Sequence, residues 1–487
     1  MSDLKLSFPA GRGLYYGGQW HRPKEGGTID VVNPATGEQL CTIDEATAAD
    51  VRPAVAAAEE GFKIWRDVKP MERARILKEL AVVIRANARE LAMIDSADSG
   101  NPVKEMMGDA LGCAMIYEYA AGLVTEMKGF SVPQGPDAVS FSMREPYGVV
   151  ACIAPFNHPL GFTVARAAAP LATGNSVVIK SPEQAPLSAL RGAELFEGLL
   201  PPGVFNVLSG GRDFGAALVA DPGVSMIALT GSVPTGRAIM RSAADTLKRV
   251  LLELGGKNAF IVYPDSDPDK VAEAMVSGMN YTWCGQSCGS ISRAFLHADI
   301  HDAVLERIPA LAAKYKPGIP TDPETTMGCL IDGRALDRVK SYIASAHEEG
   351  ARLIYGGTPP QDPALANGTF MLPTIFADVT MDMRIAREEI FGPVQSVLKW
   401  TDEDEMLRQV NQLEYGLTCA IWTRDVARAH RTVSRVEAGY CWINDVSRHA
   451  LGSPFGGYKQ SGIGREECLE GLLAFTQEKN VYINLNN

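Results

Sequence analysis

The pattern of apolar and polar positions changes along the chain. Between Ala46 and Ala92, apolar residues recur at helical spacing among Ala, Glu, Arg and Leu, which predicts helices. From Tyr147 onward, short apolar runs alternate with helix-like segments, and strands are predicted to begin near Gly148, Ser176, Val204, Met226 and Asn258. This alternation predicts a mainly parallel sheet covered by helices, the type of sheet that binds ligands at the carboxyl ends of its strands.

The alternation resumes after about residue 290, with strands expected at Arg352 to Tyr355 and at Cys419 to Trp422. A second α/β domain is the simplest account of this repeat. Residues Ser131 to Arg144 alternate around Gly135, which predicts a projecting hairpin, and Lys479 to Leu485 predicts a terminal strand. Exposed strand edges usually pair with another chain, so a homo-oligomer is expected.

Length and composition limit the class of protein. A chain of 487 residues is too long to fold around one ordinary hydrophobic core, so more than one domain is expected. Its composition, 46% hydrophobic and 21% charged residues, is typical of a folded globular protein. A formal charge of −12 without a Lys or Arg run argues against nucleic-acid binding and favours small-molecule chemistry. The opening Met-Ser-Asp-Leu-Lys lacks the apolar core of a signal peptide, and no apolar window of membrane-spanning length occurs, so a cytoplasmic protein without membrane partners is expected.

The nine cysteines are spread thinly and form no CxxC pairs, which predicts neither a disulfide framework nor a metal site. Cys288 lies in the glycine-bearing stretch from Trp283 to Arg293, and this setting favours a reactive thiol over a structural one. A thiol has a pKa of about 8.5, so a nucleophile would need a lowered pKa. A redox or metal role for Cys284 with Cys288 is set aside because no further ligands complete the set.

Two further side chains are candidates for catalysis. Glu253 ends the apolar run that begins at Val250, and desolvation there would raise its pKa and make it a better general base. The alternative is an exposed glutamate at a strand end. Asn157 could donate its amide to a developing oxyanion, or it could be an ordinary turn residue beside proline.

The evidence for a nucleotide site is weaker. The GxGxxG fingerprint is absent, and Gly231 to Gly236 follows a strand and precedes a helix without the Lys-Ser/Thr ending of a phosphate loop. Lys180 and Glu183 follow a strand and could hold ribose hydroxyls, or could be two solvated charges. If they bind ribose, the carboxylate would repel a 2′-phosphate and favour NAD over NADP.

Four segments occur in a recognisable order: Leu252 to Lys257, Gly285 to Cys288, Glu388 to Val394, and Ser453 to Gly462. In this order and spacing the chain resembles the aldehyde dehydrogenase superfamily over essentially its whole length. The resemblance implies an α/β fold with a modified Rossmann cofactor-binding domain (residues 1–126 and 147–254), a catalytic domain (255–460) and an oligomerisation hairpin with a terminal strand (127–146 and 474–487). A homodimer or homotetramer is implied.

The resemblance also implies roles for residues. Cys288 would attack a small aldehyde, Asn157 and the Cys288 amide would stabilise the oxyanion, and Glu253 would activate water to release the free acid. Lys257 and Glu466 match positions of the active-site interior. NAD, with NADP as an alternative, would contact Ile153, Pro155, Phe156, Lys180, Glu183, Gly231, Ser232, Leu254, Gly255, Glu389 and Phe391.

The chain departs from the family pattern at Trp283, where Asn is common, and at His158, where an aromatic residue is common. The substrate tunnel implied by the resemblance is lined by His158, Phe162, Ala165, Ser287, Asp445, Arg448, His449 and Phe455. Its polar outer end favours a semialdehyde, an amino aldehyde or a hydroxylated aromatic aldehyde. Alternatively, Arg448 and Asp445 simply pair with each other.

Three rival functions stay open at this stage. Acyl transfer to coenzyme A is disfavoured by Glu253, since enzymes of that branch typically lack a carboxylate there. A non-catalytic protein of the same fold is disfavoured by the presence of Cys288, Glu253, Asn157 and Glu389. A phosphate-handling enzyme built on Gly231 to Gly236 is the weakest of the three.

Overall fold

A computed structural model describes residues 6–486 of the chain. The first five residues, on which the signal-peptide expectation rests, and Asn487, the last residue of the predicted terminal element, lie outside the described residues. Helices and strands alternate along most of the remainder, as the apolar pattern predicts. Among the residues described, no helix combines the length and the apolar character needed to cross a membrane.

The strands, in chain order, are β1 Leu14–Tyr16, β2 Gln19–His21, β3 Thr28–Val32, β4 Gln39–Asp44, β5 Ser131–Pro133, β6 Ala138–Pro146, β7 Val149–Ile153, β8 Ser176–Ser181, β9 Phe205–Ser209, β10 Val224–Thr230, β11 Arg249–Glu253, β12 Ala259–Val262, β13 Arg293–His297, β14 Arg352–Tyr355, β15 Thr374–Ala377, β16 Val394–Trp400, β17 Tyr415–Gly416, β18 Thr418–Trp422, β19 Tyr440–Ile443, β20 Tyr458–Lys459, β21 Gly462–Ile463 and β22 Thr476–Asn484. The α-helices are α1 Ala48–Trp65, α2 Pro70–Ala86, α3 Ala88–Ser99, α4 Val103–Gly122, α5 Pro159–Thr163, α6 Ala168–Ala172, α7 Leu187–Phe196, α8 Arg212–Ala220, α9 Val233–Ala244, α10 Pro268–Gly278, α11 Ala298–Ala312, α12 Gly333–Glu348, α13 Arg384–Arg387, α14 Glu403–Asn411, α15 Val426–Val433 and α16 Leu469–Leu473. Single 3₁₀ turns occur at Ala165–Ala167, Tyr281–Trp283 and Pro363–Leu365.

The first large sheet has eight strands in the order β2-β1-β9-β8-β7-β10-β11-β21. Its five central strands, β7 to β11, run parallel, and β1 and β21 pair antiparallel beside them. Because the chain moves outward from β7 to β8 on one side and to β10 on the other, the sheet has a topological switch point between β7 and β10. A crevice opens at the carboxyl ends of strands at such a point, and there α/β proteins bind ligands.

Helices cover this sheet on both faces, which explains its almost continuously apolar strands. Val177 and Ile179 of β8 pack into one core with helices α2, α4 and α7, while Val178 between them packs into a second core with α1 and α8. All three side chains are fully buried. Successive side chains of a strand point to opposite faces, so a strand buried on both faces has no polar face to display.

The second large sheet has seven strands in the order β14-β15-β16-β13-β12-β18-β19. All its strands are parallel except β14 at one edge. The chain then returns to the first sheet, where β21 pairs with the end of β11 and aligns Gly462 with Glu253. The predicted domain boundary at residue 460 falls between β20 and β21, and the domain limits stay a prediction.

The predicted hairpin and terminal strand are both present. Strands β5 and β6 pair antiparallel, and β22 pairs with β6 along its whole length, from Thr476 opposite Pro146 to Asn484 opposite Ala138. The result is a separate three-stranded sheet whose outer strands, β5 and β22, leave edges open. The terminal strand therefore has a partner within its own chain.

Helix α1 approaches the first sheet very closely at Gly61. A Cβ atom at this position would lie 2.3 Å from the carbonyl carbon of Gly203, which is a backbone atom that cannot rotate away. Gly108, in helix α4, has no atom within 4 Å of such a Cβ position.

We expect Gly61→Ala to lower the free energy of unfolding by about 1–3 kcal/mol, because the methyl group would push α1 from the sheet. Gly108→Ala is the matched control, and it should be neutral or stabilise the protein by about 0.5–1 kcal/mol, as alanine does within helices. Thermal and urea unfolding of the two variants would measure both values. Equal stability of the two variants would contradict the close approach.

Candidate active site

The carboxyl edge of the first sheet brings together residues that are far apart in the sequence. Thr230 at the end of β10 is aligned with Glu253 at the end of β11, and Ile153 at the end of β7 is aligned with Lys180 in β8. Pro155, Phe156 and Asn157 follow β7 directly. The crevice expected from the strand order is thus bordered by the predicted catalytic and cofactor residues.

Helix α9 starts at this crevice. Ser232 is its N-cap, and its side chain accepts a hydrogen bond from the amide of Thr235. Gly231 precedes the cap and donates its amide to the carbonyl oxygen of Glu253. The first amides of a helix have no partner within the helix, and together with the helix dipole they favour a phosphate group nearby.

Lys180 and Glu183 form an ion pair of 3.2 Å on the same edge. The Lys180 side chain is only 10% exposed, whereas that of Glu183 is 41% exposed. The interpretation of both residues as solvated charges is therefore wrong for Lys180. A buried ammonium beside a partly exposed carboxylate offers both a donor and an acceptor to a diol.

Glu389 lies against the backbone of the segment that follows β11. Its carboxylate accepts a hydrogen bond from the Gly256 amide at 3.2 Å, and a Cβ at Gly255 would lie 2.0 Å from one of its oxygens. Only glycine permits this approach. Burial raises the pKa of Glu389 to about 7, although the Gly256 amide and the charge of Lys257 act in the opposite direction.

Phe391 and Leu254 complete this part of the site. Phe391 has a positive φ of 53° and stands edge-on to Phe156, with ring centroids 5.8 Å apart. Leu254 is held by its amide, which donates to the carbonyl oxygen of Ser461. Both are apolar side chains that follow or precede the segments carrying Glu389 and Gly255.

Cys288 lies between the 3₁₀ turn Tyr281–Trp283 and strand β13. Its carbonyl oxygen accepts a hydrogen bond of 2.6 Å from the Asn258 side chain, which fixes the backbone at this point. Burial, together with the charges of Glu389 and Glu253, raises the pKa of the Cys288 thiol to about 12. The amides of Cys288 and Gly289 lower it, but by less.

The lowered pKa that a nucleophilic thiol would need is therefore not found in this structure. The physical reason is that two carboxylates from distant segments face a desolvated sulfur atom, and both disfavour a thiolate. The neutral thiol is the stable form, so a reaction at Cys288 requires a group that takes its proton.

Asn157 is 4% exposed, which is not the setting of an ordinary surface turn residue. Its side-chain amide donates to the backbone carbonyl oxygen of Gln286 at 2.9 Å. The backbone carbonyl oxygen of Asn157 accepts a hydrogen bond from the Asn101 side chain at 2.7 Å. These bonds tie Asn157 to the segment that carries Cys288. The amide nitrogen has a second N–H that can donate to a ligand.

Glu253 is buried at the end of β11, and no hydrogen bond to either carboxylate oxygen is found within residues 6–486. The alternative of an exposed glutamate is therefore wrong. Burial raises its pKa well above the ordinary value, Glu466 raises it further, and Arg166 and Arg465 act against this. A carboxyl group with a raised pKa is a better base once it is ionised.

Arg166 is the residue that the sequence analysis missed. Its guanidinium pairs with Glu466 at 2.5 Å and donates to the hydroxyl of Thr230. Burial raises the pKa of Glu466, and Arg166 lowers it. In the sequence, the sign of this role was a single charged residue within the short run of alanines from Ala165 to Ala169.

Lys257 is buried, and its ammonium nitrogen has no hydrogen-bond partner in the described part of the chain. Burial and the positive charge of Arg293 together lower the pKa of Lys257 to about 7, and Glu389 acts in the opposite direction. Its electrostatic neighbours are thus the cofactor candidate Glu389 and the buried Arg293. Lys257 belongs to the Glu389 side of the site.

The predicted tunnel residues form two aromatic groups. His158 stands edge-on to Trp283 at 4.9 Å and to Phe162 at 5.9 Å, and on another wall His449 lies 4.7 Å from Phe455. Phe162 and Ala165 also line a pocket that reaches Arg166 and Glu466, and Ser287 is next to Cys288 in the chain.

The polar residues at the outer end pair with one another. Asp445 and Arg448 form an exposed ion pair of 3.3 Å, and His449 lies 3.1 Å from Glu467. This arrangement matches the alternative interpretation, in which Asp445 and Arg448 pair with each other. Among residues 6–486, no cluster of three His, Cys, Asp or Glu side chains could hold a metal ion.

Comparisons with known proteins agree with this geometry. The model of the aldehyde dehydrogenase family matches residues 20–481. The aldehyde dehydrogenase tropH of Talaromyces stipitatus is 49% identical over 490 residues, which cover 99% of this chain and 95% of that protein. The crystal structure of PnpE from Pseudomonas sp. WBC-3 has a TM-score of 0.95 and 40% identity with 98% of both chains covered, and PnpE has also been solved in complex with nicotinamide adenine dinucleotide. An aldehyde dehydrogenase mutant from Bacillus cereus has a TM-score of 0.94 and 36% identity, covering 98% of this chain and 97% of that one. The chain therefore belongs to the aldehyde dehydrogenase family.

Proposed function

We propose that this protein oxidises an aldehyde to its free carboxylic acid with NAD, through a thioester on Cys288 that Glu253 helps to hydrolyse. The observations that carry the proposal are a partly buried Cys288, a buried Glu253 whose charge raises the pKa of the Cys288 thiol, and an Asn157 amide bonded to the segment that carries Cys288. Overall, aldehyde, NAD⁺ and water give acid, NADH and a proton.

The first step needs a base for the thiol. Glu253 supports this role because its pKa is raised well above the ordinary value and its charge already affects Cys288. Transfer of the thiol proton to Glu253 removes the carboxylate charge as the thiolate forms, so the two charges never have to coexist. The thiolate sulfur then attacks the carbonyl carbon.

The attack places a negative charge on the aldehyde oxygen. The second N–H of the Asn157 side chain and the backbone amide of Cys288 are the donors that would hold this oxyanion. Asn157 is fixed by its hydrogen bonds to Gln286 and Asn101, so its amide is already oriented before the substrate arrives.

NAD, when bound, accepts the hydride that leaves the tetrahedral carbon. Lys180 and Glu183 would hold the adenosine ribose, and the start of helix α9 at Gly231 and Ser232 would face the pyrophosphate. The switch point between β7 and β10 supports this placement, as does the NAD complex of the relative PnpE. The carboxylate of Glu183 would oppose a 2′-phosphate, which favours NAD over NADP.

Side chains of the crevice would hold the nicotinamide end of NAD. Glu389 would accept hydrogen bonds from the nicotinamide ribose, with Phe391, Phe156 and Ile153 beside it. The absence of a side chain at Gly255 supports this assignment, because a Cβ atom there would collide with the Glu389 carboxylate and displace it.

Release of the product requires hydrolysis of the thioester. Glu253 would first release the proton that it took from the thiol, and its ionised carboxylate would then take a proton from water as the water attacks the acyl carbon and the thiolate of Cys288 leaves. Glu466, paired with Arg166, is the next group that a proton on Glu253 would meet. A carboxylate at this position supports hydrolysis over acyl transfer to coenzyme A.

The family assignment leaves the aldehyde, the oligomer and the location open. A homodimer or homotetramer is supported by the open edges of the β5-β6-β22 sheet, where Val132 and Tyr482 expose large apolar side chains. The cytosol and the absence of a nucleic-acid partner stay predictions from the sequence. A semialdehyde, an amino aldehyde and a hydroxylated aromatic aldehyde stay the candidate substrates.

We expect purified enzyme with NAD and a panel of alkyl, aromatic, amino and carboxylated aldehydes to form NADH, which is measured by its absorbance. Cys288→Ala should lose more than about 1,000-fold in kcat, as enzymes do when their nucleophile is removed. Cys441→Ala, at another partly buried cysteine, is the matched control and should keep its activity. Equal loss in both variants, or no NADH from the wild type with any aldehyde, would refute a dehydrogenase that uses Cys288.

The raised pKa of Cys288 predicts how the thiol reacts in the absence of cofactor. Only the thiolate is alkylated, so inactivation by iodoacetamide should speed up by about tenfold per pH unit from pH 7 to 9.5. Mass spectrometry of the peptide that contains Cys288 would follow the reaction. A rate that levels off near pH 8.5, as for an ordinary thiol, would mean that the two carboxylates do not act on the sulfur as described.

A further inference from the structure

A histidine and an aspartate form a close pair beside the oxyanion position. The Nδ1 atom of His158 lies 2.7 Å from Oδ2 of Asp109, which links the turn before α5 to helix α4. Both side chains are mostly buried, with 17% and 24% of their surface exposed. Within residues 6–486 this is the one hydrogen bond that the His158 ring makes, so its Nε2 atom is available to a ligand.

The pair is linked to the segment that carries the reacting sulfur. His158 directly follows Asn157, whose side chain is bonded to the Gln286 carbonyl two residues before Cys288. The imidazole ring also stands edge-on to the indole of Trp283, five residues before Cys288, with ring centroids 4.9 Å apart. These two contacts support a place for His158 in the wall of the substrate tunnel.

The charges around His158 favour a proton on both ring nitrogens. Burial by itself lowers the pKa of His158, but the carboxylates of Asp109, Asp95 and Glu105 outweigh it and raise the pKa. Asp95 belongs to α3, whereas Glu105 and Asp109 belong to α4. The side chains that α5 and the 3₁₀ turn place against the ring, Phe162 and Trp283, carry no charge.

The aromatic side chains beside His158 favour a flat substrate. Trp283 and Phe162 border His158, and Phe455, His449 and Tyr440 form a second aromatic group, with the rings of Tyr440 and Phe455 5.6 Å apart. Aromatic rings stack on or meet such walls edge-to-face, whereas a plain alkyl chain gains only burial. The polar groups at the outer end are already paired with each other.

We propose that His158, oriented by Asp109, is the specificity-determining residue of this enzyme and that its Nε2 atom binds the oxygen of a hydroxyl group on an aromatic aldehyde. This inference rests on the proposed function and narrows its substrate to hydroxylated aryl aldehydes. A carboxylate on the ring of the substrate fits less well, because the acidic side chains of Asp109, Asp95 and Glu105 would repel it. An ammonium group would meet the protonated imidazole.

The test compares benzaldehyde with 2-, 3- and 4-hydroxybenzaldehyde for the wild type, His158→Phe, His158→Gln and Asp109→Asn, each with NAD at pH 7.5. In the wild type, kcat/KM should be about 10- to 100-fold higher for at least one hydroxybenzaldehyde than for benzaldehyde, the range expected for one hydrogen bond in a desolvated site. His158→Phe keeps the aromatic wall and should abolish this preference, with KM rising more for the preferred hydroxybenzaldehyde than for benzaldehyde. His158→Gln keeps a donor and should restore part of the preference, and Asp109→Asn should weaken it.

Other outcomes would overturn the inference. Equal losses on benzaldehyde and on all hydroxybenzaldehydes in His158→Phe, with unchanged thermal stability, would mean that the pair only tethers α4 to α5. A better rate with 4-formylbenzoate or with an aminoaldehyde, dependent on His158, would replace the substrate class. A wild type that oxidises plain aldehydes without preference refutes the inference alone, whereas a wild type inactive on every aldehyde refutes the proposed function with it.

Discussion

Burial of titratable groups where the two large sheets meet is the constraint on which the chemistry of this site depends. Desolvation disfavours the charged form of every group, so it raises the pKa values of Glu253, Glu389 and Cys288 and lowers that of Lys257. Glu389 and Lys257, which would be fixed charges in water, become able to exchange protons near neutral pH, whereas the Cys288 thiol stays neutral and needs a base. The same burial requires neighbours that can take up those protons.

The scaffold supplies these neighbours from distant parts of the chain. Strand β11 ends at Glu253, β21 returns to cover that end, and Arg166 with Glu466 lies behind it. A buried ion pair gains little stability over apolar residues of the same size, because desolvation offsets most of the attraction. The Arg166–Glu466 pair is therefore better explained by the charge it places beside Glu253 than by stability.

The fold was predictable because its strands are buried on both faces and appear in the sequence as short apolar runs. The runs near Gly148, Ser176, Val204 and Met226 became the parallel centre of the first sheet, and the hairpin around Gly135 is present. Asn157, Glu253 and Cys288 were candidates from their local sequence, and the resemblance implied their catalytic roles. The direction of the Cys288 pKa shift could not be predicted, since it depends on carboxylates that only the tertiary structure brings near. Arg166 and the His158–Asp109 pair involve contacts between separate helices and left little trace in local sequence.

The central claim is that Glu253 is needed to hydrolyse an acyl group held on Cys288, and Glu253→Gln tests it most directly. Mixed with NAD and an aldehyde, this variant should form NADH more slowly than the wild type, because the thiol has lost its base, and should stop after at most one NADH per active site, and intact-protein mass spectrometry should find the acyl group attached at Cys288. Continued turnover at the wild-type rate, or an enzyme that forms NADH without an acyl group on Cys288, would contradict the account.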